Sequence, residues 1–157
     1  MALSRTSTGE IKDLLGTVDR SLAYSKVEAV STDLRFIAAF SAALCVATTA
    51  LRPSGLRTVT QAGHHVKTIE SLELTIKANP KVIQRFKTFN NKRNKSVDDV
   101  AGTISDQELE AMVKLAEELK NKTLAWLRNL HPELLKGAKG RRAKSKVRHC
   151  SGGSRCR

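Results

Sequence analysis

The residues best suited to chemistry sit in one short stretch. Val82, Phe86, Phe89 and Arg93 follow each other at steps of four, three and four, the spacing that aligns side chains on one face of a helix. Arg93 therefore closes an apolar stripe, where a guanidinium must find an acceptor or snorkel to water. Asn94 follows it directly, and Asp98 and Asp99 lie just beyond. Around them runs a basic segment, Lys77, Lys81, Arg85, Lys87, Lys92, Arg93 and Lys95, with no acid between Glu73 and Asp98. Two readings stay open. Either Arg93 pairs with Asp98 or Asp99 and pins the loop that follows, or Arg93 and Asn94 line a cleft that holds phosphate. In the second case Lys87, Lys92 and Lys95 supply attraction.

The other candidates are weaker. His64 and His65 are adjacent and so point to different helix faces. His65 shares a stripe with Ile69, Leu72 and Ile76, the place of a hydrogen-bonded core histidine. His64 reaches the Arg93 region only if the helices pack suitably. No His-x-x-x-His or Glu-x-x-His spacing occurs, so no metal site is expected. The absence of a phosphate-cradling glycine loop and of a Gly-x-Ser-x-Gly elbow sets aside Walker-type and hydrolase chemistry, and no cofactor is expected. Cys45 lies in an apolar helical stretch while Cys150 and Cys156 lie near the end, which makes no disulfide framework and points to a reducing, cytoplasmic setting.

Helices must position these groups, because the helical period recurs and the strand period does not. Ser7 and Glu10 form a capping box before Ile11, Leu14, Leu15, Val18 and Leu22. Asp33 is read as the cap of a second helix that runs to about Leu51, where Pro53 and Gly55 stop it. Its alanines, Ala38, Ala39, Ala42, Ala43 and Ala47, let a neighbour approach closely. The stretch Phe36 to Leu51 is uncharged but only sixteen residues long, so it reads as a buried helix and no membrane role is expected. A third helix is expected from about Gln61, and Asn79-Pro80 opens a fourth. Val97 to Ile104 reads as a loop. Ser105 and Glu108 form a second capping box for a long last helix, which His131-Pro132 ends. The expected fold is all-α, an up-and-down antiparallel bundle of about five helices over residues 1–135.

The formal net charge is +13, and its distribution matters more than its size. Residues 131–157 carry nine Lys or Arg against one acid, a net +8. Residues 136–157 read as a disordered polybasic tail, too poor in apolar surface to offset its ordering entropy. Within it Arg141, Arg142 and Lys144 read as an electrostatic arm for nucleic acid or as a merely solvated tail.

Over roughly residues 8–130 the chain resembles the HEPN superfamily of helical nucleotide-binding domains, particularly its small bacterial members. The resemblance rests on the small-residue second helix, on Gly63-His64-His65 with Ile69-Glu70-Ser71-Leu72, and on Lys92-Arg93-Asn94-Lys95-Ser96-Val97-Asp98 before a loop and final helix. Ribonucleases of that family carry R-x(4–6)-H in a dimer cleft. The resemblance thus implies a homodimer, a site at Arg93 and Asn94, and RNA or a nucleotide-handling partner such as a nucleotidyltransferase or an antitoxin. Here the motif departs from the pattern, since Asp98 and then Asp99 stand where the histidine belongs. A histidine moves protons near neutral pH, whereas an ordinary carboxylate is already ionised and repels the scissile phosphate. The expectation is accordingly a binding module with weak or absent nuclease activity. The alternatives are an active metal-independent ribonuclease toxin, with Asp98 as its unusual base, and a protein acting mainly through its tail.

Overall fold

Each segment with helical periodicity becomes a helix, and the side chains at its ends explain where it starts and stops. In the computed structural model, which describes residues 2–3, 6–57, 63–98 and 102–135, α1 spans Thr8–Ser25. Ser7 caps it by accepting the Glu10 N–H at 3.1 Å, satisfying one of the donors a helix start leaves orphaned. The Glu10 carboxylate reaches Arg52 at 2.8 Å, an ion pair in which the Arg52 Nε–H is not aligned for a hydrogen bond. Helix α2 spans Thr32–Leu51, and a turn of 3-10 helix containing Pro53 ends at Gly55 with φ 79°. Helices α3 (His64–Thr75), α4 (Pro80–Asp98) and α5 (Asp106–Leu130) complete the bundle. The Ser105–Glu108 capping box forms in both directions, at 3.1 and 2.8 Å.

Three boundaries differ from the sequence reading. Ser31, not Asp33, caps α2 by accepting the Leu34 N–H at 3.4 Å. Asp33 lies in the first turn and instead accepts the Gly102 N–H, tying the end of the α4–α5 connection to α2. The α3 start falls at His64 rather than near Gln61, which lies outside the described residues. Helix α4 continues through Val97 and Asp98, neither of which is a helix breaker. A two-residue antiparallel pairing, β1 (Ala2–Leu3) with β2 (Leu56–Arg57), adds to the helices without changing the all-α class. Residues 136–157, with Arg141, Arg142 and Lys144, lie outside the described residues, as do Asp99 and the side chain of Asp98.

Helix α2 is the hub, packed against α1, α3, α4 and α5. Ala39, Ala42, Ala43, Ala47 and Ala50 are all fully buried, so their small side chains permit close approach from several directions. Two aromatic pairs lock α4 onto this hub. Phe36 meets Phe89 edge-on at 5.7 Å, and Phe40 meets Phe86 at 5.4 Å, each pair contributing about 0.5–1.5 kcal/mol beyond its buried area. With the turn that follows it, α2 is long and apolar enough to cross a membrane, yet 56% of its most apolar window is buried in the bundle, as befits a core helix.

Candidate anion-binding site at Arg93

The stripe on α4 stays in phase to its end. Ile83, Phe86 and Phe89 are buried, Asn90 is 5% exposed, and Arg93 follows on the same face, half-buried. Its guanidinium carbon lies 5.9 Å from the centre of the Phe40 ring, within cation–π range. One Nη donates to the Asn94 Oδ1 at 3.2 Å, an exposed contact. The Nε is buried and has no partner. No carboxylate among the described side chains pairs with Arg93, and the partners expected for it, Asp98 and Asp99, lie outside them.

Arg93 borders a cavity of about 300 Å³. Helix α2 supplies Phe40, Ser41, Leu44, Cys45 and Thr48 to its wall, and α3 supplies His65. Its lining thus combines the apolar Phe40 and Leu44 with two hydroxyls, a thiol, an imidazole and the Arg93 guanidinium. The volume is at the lower end of the range for small-ligand pockets. A larger open groove along α1, about 490 Å³, is lined by Glu10 and Asp13 and offers no cation, which makes it the wrong charge for phosphate.

His65 belongs to this cavity because α3 and α4 form a hairpin. Glu70 on α3 meets Lys87 on α4 at 2.6 Å, and further from the turn His65 meets Asn90. Burial holds the His65 imidazole below its ordinary pKa, and the charges of His64 and Arg93 push it the same way. Asn90 pulls weakly in the opposite direction, yet its buried Oδ1 has no aligned hydrogen bond. The His64 and His65 rings lie 4.2 Å apart, centre to centre. Burial also pushes the Cys45 thiol up, against the opposing pull of Arg52 and Arg20, and its Sγ donates to the Leu14 carbonyl at 3.3 Å. At neutral pH the cavity thus holds one permanent cation, a neutral imidazole and a protonated thiol.

The residues expected to act together are only partly brought together. Arg93 and Asn94 adjoin, and the backbone of Asp98 continues the same helix about one turn further on. Lys87 and Lys92 are engaged in ion pairs, with Glu70 at 2.6 Å and with Glu108 at 2.9 Å. Lys95 is exposed, as are Lys81 and Arg85. These three share the outer face of α4, opposite the core, and span roughly 21 Å along the axis at 1.5 Å per residue. His65 and Asn90 are the members that sequence reasoning missed as site residues. Among the described residues no three His, Cys, Asp or Glu side chains cluster as metal ligands. No protein-family model, no curated protein and no solved structure matches this chain.

Proposed function

We propose that this chain is a HEPN-like RNA-binding module that seats RNA phosphate on Arg93, with little nuclease activity of its own. One observation carries the reading: a half-buried guanidinium, with an unpartnered Nε and no described counter-charge, faces a cavity. A buried charge without a partner is costly, and such positions concentrate at binding sites. The outer face of α4 adds Lys81, Arg85 and Lys95 as long-range attraction for a polyanion. A homodimer belongs to this proposal. Leu34 is 58% exposed, and with half-exposed Ile37 and Leu44 it forms an uncovered strip of α2 beside the cavity. An isologous contact along that strip brings two Arg93 pockets together. In a cell the occupant of that strip is alternatively a nucleotidyltransferase or antitoxin partner.

The test is fluorescence anisotropy of a labelled single-stranded oligoribonucleotide against the wild type, Arg93→Gln and a chain ending at residue 135. Arg93→Gln is expected to lose at least tenfold in affinity, since a hydrogen bond to a charged group contributes about 1.5–3 kcal/mol. Binding that ignores Arg93→Gln but vanishes on truncation transfers the function to the basic tail. Light scattering that finds a strict monomer removes the paired-pocket arrangement.

A second reading, metal-independent RNA cleavage, is favoured by one specific observation. His65 stands beside Arg93 and is of the residue type best suited to moving a proton. Incubating labelled RNA with the protein in excess EDTA separates the two. Fragments that appear with the wild type and disappear with His65→Ala establish cleavage, and intact RNA throughout leaves binding alone.

A further inference from the structure

We infer that the Arg93 pocket takes a phosphate monoester, the doubly charged group at the end of a nucleotide or of a nucleic-acid strand, and that His65 takes up a proton as it binds. The inference rests on the reading of Arg93 as an anion anchor and names what that anchor holds.

The charge count points this way. A phosphodiester inside a strand carries one negative charge, which Arg93 alone matches. A monoester carries nearly two at neutral pH, with a second ionisation near pH 6, and offers three acceptor oxygens. Its second charge needs a second cation in the same cavity. Among the described residues, the polar groups that act on His65 or share its cavity are Arg93 and Asn90 from α4, the Cys45 thiol with the Ser41 and Thr48 hydroxyls from α2, and His64 on its own helix. None of these described groups is acidic, and among them only an imidazole can change charge at moderate pH. The cavity is also small, about 300 Å³ with Phe40 in its lining, which suits one terminal group rather than a run of nucleotides.

Asn90 supplies the independent sign that His65 is built to be charged at times. It is 5% exposed and lies against the ring, where it favours the charged imidazole, and its buried Oδ1 has no well-aligned hydrogen bond. A neutral imidazole has one N–H, whereas imidazolium has two. The protonated ring can donate one N–H to an anion in the cavity and the other to the Asn90 Oδ1. Without an anion, Arg93 and His64 repel that proton. With a dianion between Arg93 and His65 the repulsion turns to attraction, so anion binding and proton uptake favour each other reciprocally.

Sulfate is the right first probe, because it stays a dianion across the whole range and shows no titration of its own. Calorimetric titration of the full chain should find sulfate bound about tenfold tighter at pH 5.5 than at pH 8, the effect of one pKa unit of coupling. The heat should change with the ionisation enthalpy of the buffer, which reports proton uptake by the wild type without any variant. His65→Gln should flatten the pH dependence, and Arg93→Gln should remove sulfate binding at every pH. Adenosine 5′-monophosphate and a 5′-phosphorylated oligoribonucleotide then identify the source, each compared with its partner lacking the terminal phosphate. Preference for the free nucleotide, or for the phosphorylated strand, supports the inference and says which ligand it is. Sulfate affinity that is flat with pH, or no preference for a terminal phosphate in either form, overturns it even if RNA binding still depends on Arg93. RNA binding that does not depend on Arg93 sinks the anchor itself.

Discussion

Replacing Arg93 by Met should make the protein more stable and a worse binder at once. The guanidinium contributes little that the fold needs. Among the described residues its Nε is buried without a partner, its hydrogen bond goes to exposed Asn94, and no carboxylate pairs with it. An unsatisfied buried polar group costs about 1–3 kcal/mol. Against this stands the contact over Phe40, a cation–π interaction that contributes roughly 0.5–1 kcal/mol at a partly solvated site. Methionine keeps most of the apolar stem contacts with an unbranched, adaptable side chain. The balance favours the variant by about 1 kcal/mol. For a chain of 157 residues that raises the melting temperature by roughly 2–4 °C. Thermal unfolding followed by circular dichroism at 0.15 M salt measures it, and anisotropy with labelled RNA on the same samples should show at least tenfold weaker binding. Stability gained where function is lost marks a residue kept for function. A melting temperature that drops by several degrees would refute the reasoning, because it would mean that Arg93 holds an acceptor the fold depends on.

Three further outcomes follow from single features. Lys77 has φ 57° between α3 and α4, and the Ala78 N–H reaches back to the Leu72 carbonyl at 3.1 Å, so the joint needs a left-handed residue. Lys77→Gly should relieve about 1–2 kcal/mol of strain against about 0.5–1 kcal/mol of added chain entropy, shifting the urea midpoint upward; a downward shift would show that the lysine side chain matters more. His65 is held below its ordinary pKa in the folded chain, so the unfolded chain binds the extra proton first. The stability tied to its neutral form is complete above the ordinary histidine pKa near 6.5 and declines as pH falls through it; His65→Gln should lose less stability between pH 7.5 and 5.5, and equal losses would count against the assignment. Burial keeps the Cys45 thiol protonated, so mass spectrometry after a brief pulse of maleimide at pH 7.5 should find it labelled far more slowly in the native chain than in urea, and equal rates would contradict its burial.

How much of this was legible in the sequence depends on the range of the interaction concerned. Helix existence and most ends are local matters, written in capping residues, Pro53, Gly55 and Pro132, and the alanines of α2 announced a helix that others approach closely. The misread boundaries fail where two local signals compete. Ser31 and Asp33 are both good caps, and the chain uses Ser31 because the Asp33 carboxylate has a distant donor in Gly102, which no local rule contains. Val97 and Asp98 looked like a loop because of Gly102 and the paired acids, yet both lie in α4, four or more residues before that glycine. Lys87 and Lys92 read as free cations because Glu70 and Glu108 are far away in sequence and meet them only through packing. The meeting of His65 with Arg93 is a different case, since its ingredients were all present. His65 has core phase on α3, Arg93 has core phase on α4, and the turn before Pro80 makes the two helices neighbours. Glu70 and Lys87 lie equally far from that turn, and they touch. The residue that mirrors His65 across the same turn is Lys92, one position from Arg93 and two from Asn90. In an antiparallel hairpin, polar residues at core phase and nearly equal distance from the turn have to share one space, which is why His65 on α3 and Arg93 on α4 line one cavity.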